Sequence, residues 1–177
     1  MSTTTRNAGF STMDVNHFDH STSIIIMVWM FIGASPNSFG GGIRTTSILI
    51  ILLSLKAYAL GKPNTVVYRG RRIKDEIVQK AFYAFTAGLA VVLVITIIIA
   101  SIEPHDLHPI LFEVTSAFGT TGLSMGITDA LTTLSKFLLV LVMFVGRLGI
   151  LAFLLMLKKD TRSESSVSYP TEDIIVG

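Results

Sequence analysis

The chain of 177 residues is strongly apolar, since hydrophobic residues make up 50% of it and charged residues only 15%. Ordinary globular domains carry about 25% charged residues, so this chain is better counted in membrane passes of roughly 20 residues each. The absence of cysteine excludes disulfides and thiolate metal sites, and a formal net charge of +2 is too small to indicate a nucleic-acid partner.

The first apolar region, residues 23–60, is interrupted by a glycine-rich, helix-breaking segment that we call the glycine tract. The tract consists of Gly33, Ala34, Ser35, Pro36, Asn37, Ser38, Phe39, Gly40, Gly41 and Gly42. Irregular backbone at membrane depth is tolerated only where it is buried in protein or lines a water-filled cavity. So many helix breakers therefore predict an unwound functional segment, as in transporters with broken helices, rather than a simple kink. A phosphate-binding loop is disfavoured, because no Gly-Lys-Ser/Thr follows at the Walker A spacing.

Two further apolar regions, 81–100 and 137–157, are each long enough to cross a hydrocarbon core about 30 Å thick. The second contains Arg147 near its middle, where a charge costs roughly 2.5–3.5 kcal/mol, so we expect this residue to face a cavity or a partner. Basic residues cluster in 61–80 and after residue 157, whereas acids and histidines occupy the other loops. The positive-inside rule thus predicts that 61–80 and the C-terminal tail are cytoplasmic.

A short apolar segment, residues 108–118, lies between these regions and is too short to span a membrane. Pro109 stands at a first-turn position, which favours a helix, and the small residues Gly119-Thr120-Thr121-Gly122 come after the segment. This pattern is typical of a re-entrant pore helix followed by a loop with exposed carbonyls. The start of the chain repeats the end of this unit, with Gly9 aligned to Gly122 and an apolar residue and a serine after each.

These motifs resemble the Ktr/Trk/HKT superfamily of potassium-uptake transporters, closest to its KtrB membrane subunits. The resemblance rests on two filter loops, the glycine tract with its flank, the glycines around Arg147 and the end of the chain, which are residues 5–10, 119–123, 33–46, 146–149 and 169–177. It implies an all-α polytopic membrane protein built from repeats of outer helix, pore helix, filter loop and inner helix. Four such repeats surround one pore in the family.

About one and a half of the four repeats are present by this resemblance. Residues 1–60 would be the filter loop and broken inner helix of a third repeat, and 61–80 a cytoplasmic linker. Residues 81–157 would be a complete fourth repeat, and 158–177 a cytoplasmic C-terminal tail. Because a pore needs all four loops, we expect that this chain alone does not close a selective ring.

The resemblance implies that the chain translocates potassium as the pore-forming subunit of a Ktr-type uptake system. The ion ligands would be the backbone carbonyls of Asn7, Ala8, Gly9, Thr120, Thr121 and Gly122. Oxygens must replace the water that potassium sheds, and glycine allows backbone angles that point successive carbonyls at one axis. The glycine tract would be the gate beneath the filter, with Arg147 and Arg44 as barriers to cations. The simpler alternative for either loop is an ordinary glycine turn.

The resemblance further implies a homodimer in the cell membrane, in contact with membrane lipid and with a cytoplasmic ring of nucleotide-binding regulatory subunits. Potassium, with sodium left open, is the only metal ion expected, and we expect no cofactor. No catalytic set is visible in the sequence, so we expect no enzyme. The histidine pairs His17/His20 and His105/His108 undersupply a zinc site and are interpreted as polar loop caps. A competing hypothesis is a non-conducting fragment that assembles with a full-length transporter.

Overall fold

The computed structural model describes residues 9, 18–36, 38, 40–61, 66–68 and 71–149. These residues form five helices and one two-stranded ladder, in the order α1 His20–Ile32, α2 Thr45–Ala59, β1 Val67–Tyr68, β2 Arg71–Arg72, α3 Asp75–Ile102, α4 Leu107–Gly119 and α5 Thr133–Leu148. The described part is therefore mostly helical, as expected. Asn7, Ala8, Asn37, Phe39 and the predicted tail 158–177 lie outside the described residues.

The first apolar region forms two helices, because the backbone leaves helical geometry at Gly33, whose φ is 65°. The chain then folds back beside the end of α1. The Ile43 N–H donates to the Phe31 carbonyl at 3.1 Å, and the Thr45 N–H donates to the Ala34 carbonyl at 3.2 Å. The interruption that the glycine tract predicts is thus present in the described structure.

Among the described residues, α3 is the one helix long and apolar enough to cross a membrane. It begins ahead of the apolar stretch, because Asp75 and Glu76 suit the positive end of the helix dipole. Mostly small residues form its buried face, which consists of Ala81, Ala84, Gly88, Val92, Thr96 and Ile99. Large side chains such as Leu93 and Ile97 stay exposed. An apolar helix that is buried on one side only is suited to a lipid surrounding.

The predicted linker 61–80 is partly structured. It contains the ladder, in which Val67 lies opposite Arg72, and also the start of α3. An exposed ion pair joins Arg72 Nη2 to Asp75 Oδ2 at 3.3 Å, a type of contact that contributes little to stability. The described residues of 61–80 thus include secondary structure, and residues 62–65 and 69–70 lie outside the described ones.

The short apolar segment forms α4, and it is the most buried helix of the described structure. Every residue from 112 to 119 is buried. Ile110, Phe112 and Phe118 are among the largest side chains that are almost fully enclosed. Because α1, α3 and α5 all pack against α4, most of its apolar surface faces protein, and Leu107 at its start stays exposed. The helix expected over 108–118 is present, and it begins at Leu107.

The described part of the third apolar region lies in α5, which begins four residues before the expected span 137–157. Thr132 is its N-cap, with a hydroxyl that accepts from the Ser135 N–H at 3.5 Å. Gly149 follows the last helical residue with a φ of 82°, which an α-helix does not accommodate. Arg147 consequently lies in the last turn of the described helix. Its expected place near the middle of the span 137–157 stays a prediction, because residues 150–157 lie outside the described residues.

Candidate ion pathway

The predicted filter loop, residues 119–123, is called the filter loop below. Two of its residues have a left-handed backbone conformation that residues other than glycine rarely adopt. Thr120 has a φ of 50° and is the one non-glycine residue with positive φ in the described structure, and Gly122 has a φ of 86°. The Thr120 N–H donates to the Ala117 carbonyl at 3.1 Å and the Thr121 N–H to the Ser116 carbonyl at 3.0 Å, which ends α4. A β-branched residue in this left-handed conformation is an outlier, and such strain concentrates at functional sites.

Three carbonyls of the filter loop have no hydrogen-bond donor among the residues that the structure describes. Within the described part of the chain, no donor contacts the carbonyl oxygens of Thr120, Thr121 or Gly122. The Thr121 hydroxyl is also buried and without a partner among the described residues. Thr121 is buried, Thr120 is half-buried and Gly122 is exposed. These three consecutive carbonyls, which have no donor among the described residues, form a set of oxygens that a cation could use.

Gly9 is the one residue of the other predicted filter loop, 5–10, that the structure describes. It lies against the filter loop 119–123. Its φ is 65°. A β-carbon added at Gly9 would lie 2.5 Å from the Thr121 carbonyl oxygen and 3.3 Å from the Gly122 α-carbon. The structure thus brings together the two glycines that the internal repeat aligns. Asn7 and Ala8 lie outside the described residues, so their place in the set stays a prediction.

Glu113, on α4, holds the segment that leaves the filter loop, and the sequence reading had not assigned it a role. Its side chain is 6% exposed. Oε1 accepts from the Ser124 hydroxyl at 2.5 Å and from the Met125 N–H at 2.9 Å, and Oε2 accepts from the Thr128 hydroxyl at 2.9 Å. Its position as a charged residue within an apolar helical segment could have indicated this role, because a buried charged group must be hydrogen-bonded.

A second buried carboxylate, Glu103, holds the start of α5. Its Oε1 accepts from the Thr132 N–H at 2.8 Å, the Thr132 hydroxyl at 2.7 Å and the Ser135 hydroxyl at 2.6 Å. The hydrogen bond from Ser135, followed by those from Thr132, lowers the pKa of Glu103 below its ordinary value, because each donor favours the ionised form. Glu103 and Glu113 therefore fix two successive parts of the connection between α4 and α5.

The glycine tract lies against the filter loop. The Gly41 N–H donates to the Thr120 hydroxyl at 2.9 Å. A β-carbon added at Gly41 would lie 2.9 Å from the Phe118 carbonyl oxygen, and one added at Gly146 on α5 would overlap that same oxygen. The tract and α5 both approach the end of α4 backbone to backbone, which only glycine permits at these positions.

The predicted cation barriers are both exposed residues at helix ends. Arg44 is the N-cap of α2, and Arg147 lies in the last turn of α5. Within the described ranges, neither guanidinium makes an ion pair or a hydrogen bond with a side chain. Their role as barriers stays a prediction.

One histidine from each of the two sequence clusters meets the other in the described structure. The ring centroids of His20 and His108 lie 5.0 Å apart in an edge-to-face arrangement. His17 lies outside the described residues, so the pair with His20 has no description. No cluster of three histidine or acidic residues that could hold a metal ion occurs among the residues that the structure describes.

Known proteins resemble this chain over almost its full length. Residues 1–169 match the TrkH family, described as a cation transport protein. The chain is 42% identical over 176 residues to the Ktr system potassium uptake protein D of Bacillus subtilis, covering 99% of this chain and 39% of that protein. It is 37% identical over 174 residues to the Ktr system potassium uptake protein B of the same organism, with coverages of 98% and 38%.

A third relative is named for two ions, whereas the first two are named for potassium alone. The potassium/sodium uptake protein NtpJ of Enterococcus hirae is 36% identical over 182 residues, which cover 100% of this chain and 40% of that protein. The chain thus spans about two fifths of the length of the curated relatives that it matches.

Proposed function

The chain belongs to the TrkH family of cation transport proteins, and we propose that it supplies part of a potassium-selective pathway across the cell membrane. Two relatives that it matches over nearly its whole length are named potassium uptake proteins, and none of the three named above is named as an enzyme. The transported ion is potassium in this proposal. Sodium is a second candidate ion, because one relative is named a potassium/sodium uptake protein.

The observation that carries the proposal is the meeting of Gly9 with the filter loop. Two loops far apart in the sequence touch through glycines of positive φ, beside three carbonyls to which no described residue donates a hydrogen bond. A ring of backbone carbonyls from several loops is the arrangement that replaces the water of a potassium ion. The proposed ligands are the carbonyls of Asn7, Ala8, Gly9, Thr120, Thr121 and Gly122.

The glycine tract is the proposed gate, because it contacts the filter loop through Thr120. Arg44 and Arg147 are the proposed barriers to cations. The wider assembly in this proposal is a multi-pass homodimer in membrane lipid, with residues 61–80 and the C-terminal tail on the cytoplasmic side. A cytoplasmic ring of nucleotide-binding regulatory subunits is its proposed partner, which agrees with relatives that are named as parts of a Ktr system.

The test places the full chain in a longer transporter. In this graft protein, the 177 residues replace the matching two fifths of the Bacillus subtilis protein D. Expressed in a bacterial strain without its own potassium uptake, the graft protein should restore growth in limiting potassium. Gly122→Ser should lower the preference for potassium over sodium roughly tenfold, because a left-handed conformation costs a non-glycine residue about 1–2 kcal/mol.

Gly61→Ser is the matched control for this substitution. Gly61 has a φ of 70°, also in the left-handed region, so serine meets similar backbone strain at both positions. Gly61 follows α2, away from the proposed ligands and from the segment after the filter loop, and its substitution should leave the ion preference unchanged. Equal effects of the two substitutions on ion preference would show that Gly122 has no place in the filter.

The bacterial strain without its own potassium uptake also tests the second candidate function, a non-conducting chain that assembles with a full-length transporter. The chain expressed by itself should then restore no growth, yet it should co-purify with a full-length relative. Potassium uptake by the graft protein that responds to Gly122→Ser would favour the pathway role instead.

A further inference from the structure

The buried carboxylate of Glu113 lies beside the proposed filter without supplying one of its carbonyls. All three groups that donate to it, from Ser124, Met125 and Thr128, belong to the segment that leaves the filter loop. No cation offsets the loss of water around this carboxylate, since the described residues show no ion pair to Glu113. These hydrogen bonds are therefore what stabilises the carboxylate in its buried position.

The loop is consequently fixed on both sides of Gly122. Before it, the Thr121 N–H donates to the Ser116 carbonyl of α4 at 3.0 Å. After it, the Met125 N–H donates to Glu113, which also belongs to α4. Both anchors thus belong to the most buried helix of the described structure. Gly122 itself has ample space, since a β-carbon added there would come no closer than 3.8 Å to its neighbour.

This arrangement makes the flanking anchors decisive for the Gly122 carbonyl. The described residues pack loosely around Gly122, and none of them donates a hydrogen bond to its carbonyl. The direction of that carbonyl therefore depends on the positions of Thr121 and of the segment held by Glu113. Preference between ions depends on how the carbonyls are placed and on how far they can move.

We propose that Glu113 is a positioning residue for the filter, which sets the preference for potassium over sodium by fixing the segment 124–128 to α4. The inference rests on the proposed function, because it concerns the carbonyls of the filter loop. Without the carboxylate, the loop can relax around Gly122 and coordinate the smaller ion more closely.

The experiment compares two buried carboxylates in the graft protein. Glu113 and Glu103 are both 6% exposed and both accept three hydrogen bonds, but the donors to Glu103 lie at the start of α5. In reconstituted vesicles, Glu113→Gln should lower the preference for potassium over sodium roughly tenfold, the effect of losing about one hydrogen bond to a charged group. Glu103→Gln should leave this preference unchanged.

A second measurement tests the hydrogen bond from the Met125 N–H to Glu113 directly. Amide hydrogen exchange at Met125 should become faster in Glu113→Gln and stay unchanged in Glu103→Gln, because only the first substitution weakens the acceptor of that N–H. If Glu113→Gln does not fold, Ser124→Ala and Thr128→Val each remove one donor and should each lower the ion preference by a smaller factor.

The outcomes separate this inference from the proposed function. A graft protein that prefers potassium, with equal ion preference in the Glu113 and Glu103 variants, would overturn the inference and leave the function standing. Unchanged exchange at Met125 in Glu113→Gln would overturn it as well. A graft protein that transports no potassium before any substitution would overturn the proposed function, and the inference with it.

Discussion

The filter loop and the glycine tract both interrupt helices, but different kinds of contact hold them. Side chains hold the exit of the filter loop, where Glu113 accepts three hydrogen bonds. The described part of the tract is held mainly through its backbone, as in the hydrogen bond from the Ala34 N–H to the Gly41 carbonyl at 3.3 Å. The bond from the Gly41 N–H to the Thr120 hydroxyl is its direct connection to the filter loop.

This difference predicts how easily each region moves. Hydrogen bonds to a charged group contribute about 1.5–3 kcal/mol, against about 0.5–1.5 kcal/mol for neutral ones. The exit of the filter loop should therefore be harder to displace than the tract. A filter has to keep its carbonyls in place, whereas a gate needs two conformations separated by a few kcal/mol. The two kinds of contact suit the two proposed roles.

The largest expected effect arises at the carbonyl oxygen of Phe118, which directly precedes the filter loop. The tract and α5 both approach this atom. Gly41 and Gly146 both approach this oxygen too closely for a side chain. Gly146→Ala would force the backbones of α4 and α5 apart and should destabilise the protein by about 2 kcal/mol, a typical cost of overpacking. Thermal unfolding of the detergent-solubilised graft protein measures this loss.

Gly88→Ala is the control for the Gly146 substitution. Gly88 is also a buried helical glycine, but an added β-carbon would meet the ends of the Ile43 and Phe118 side chains at 3.1 Å, and these can shift. Alanine also favours a helix over glycine by about 1 kcal/mol, so the net effect should be near zero. Similar losses of stability in both variants would contradict the role given to the Phe118 carbonyl.

Local sequence patterns predicted those parts of the fold that depend on local chemistry. The glycine tract indicated the break between α1 and α2, and Pro109 with its apolar neighbours indicated α4. The internal repeat aligned Gly9 with Gly122, and the structure places them in contact. Each of these predictions rests on backbone freedom or on apolar periodicity, which act over a few residues.

The contacts that hold the site could not be predicted in this way. The donors to Glu113 lie 11 to 15 residues along the chain, and those to Glu103 lie 29 to 32 residues along it. No local pattern specifies such pairs. The positive φ of Thr120 also escaped prediction, because a β-branched residue disfavours it unless contacts such as that with Gly41 compensate.

A smaller effect is expected from the connection between the two regions. Thr120→Val keeps the branched side chain but removes the acceptor of the Gly41 N–H. Loss of one neutral hydrogen bond, worth about 1 kcal/mol, should shift the tract away from the filter loop and raise potassium flux roughly fivefold. Thr120→Ser retains the hydroxyl and should keep the original flux. Reduced flux in a well-folded Thr120→Val protein would argue against a gate at this position.

The smallest effect concerns Glu103, which holds α5 and touches neither region. Since hydrogen bonds from Ser135 and Thr132 lower its pKa in the folded protein, its stabilising effect is complete above the pKa of the unfolded chain. That contribution is lost as the pH falls towards and through the folded pKa. The fall in Tm between pH 7 and pH 4, about the ordinary value of a glutamate, should therefore be smaller in Glu103→Gln than in the unaltered graft protein. Asp106, whose side chain makes no capping hydrogen bond, serves as the control, and Asp106→Asn should keep the original pH dependence. An equal fall in Tm for all three proteins would show that Glu103 does not link the stability of α5 to pH.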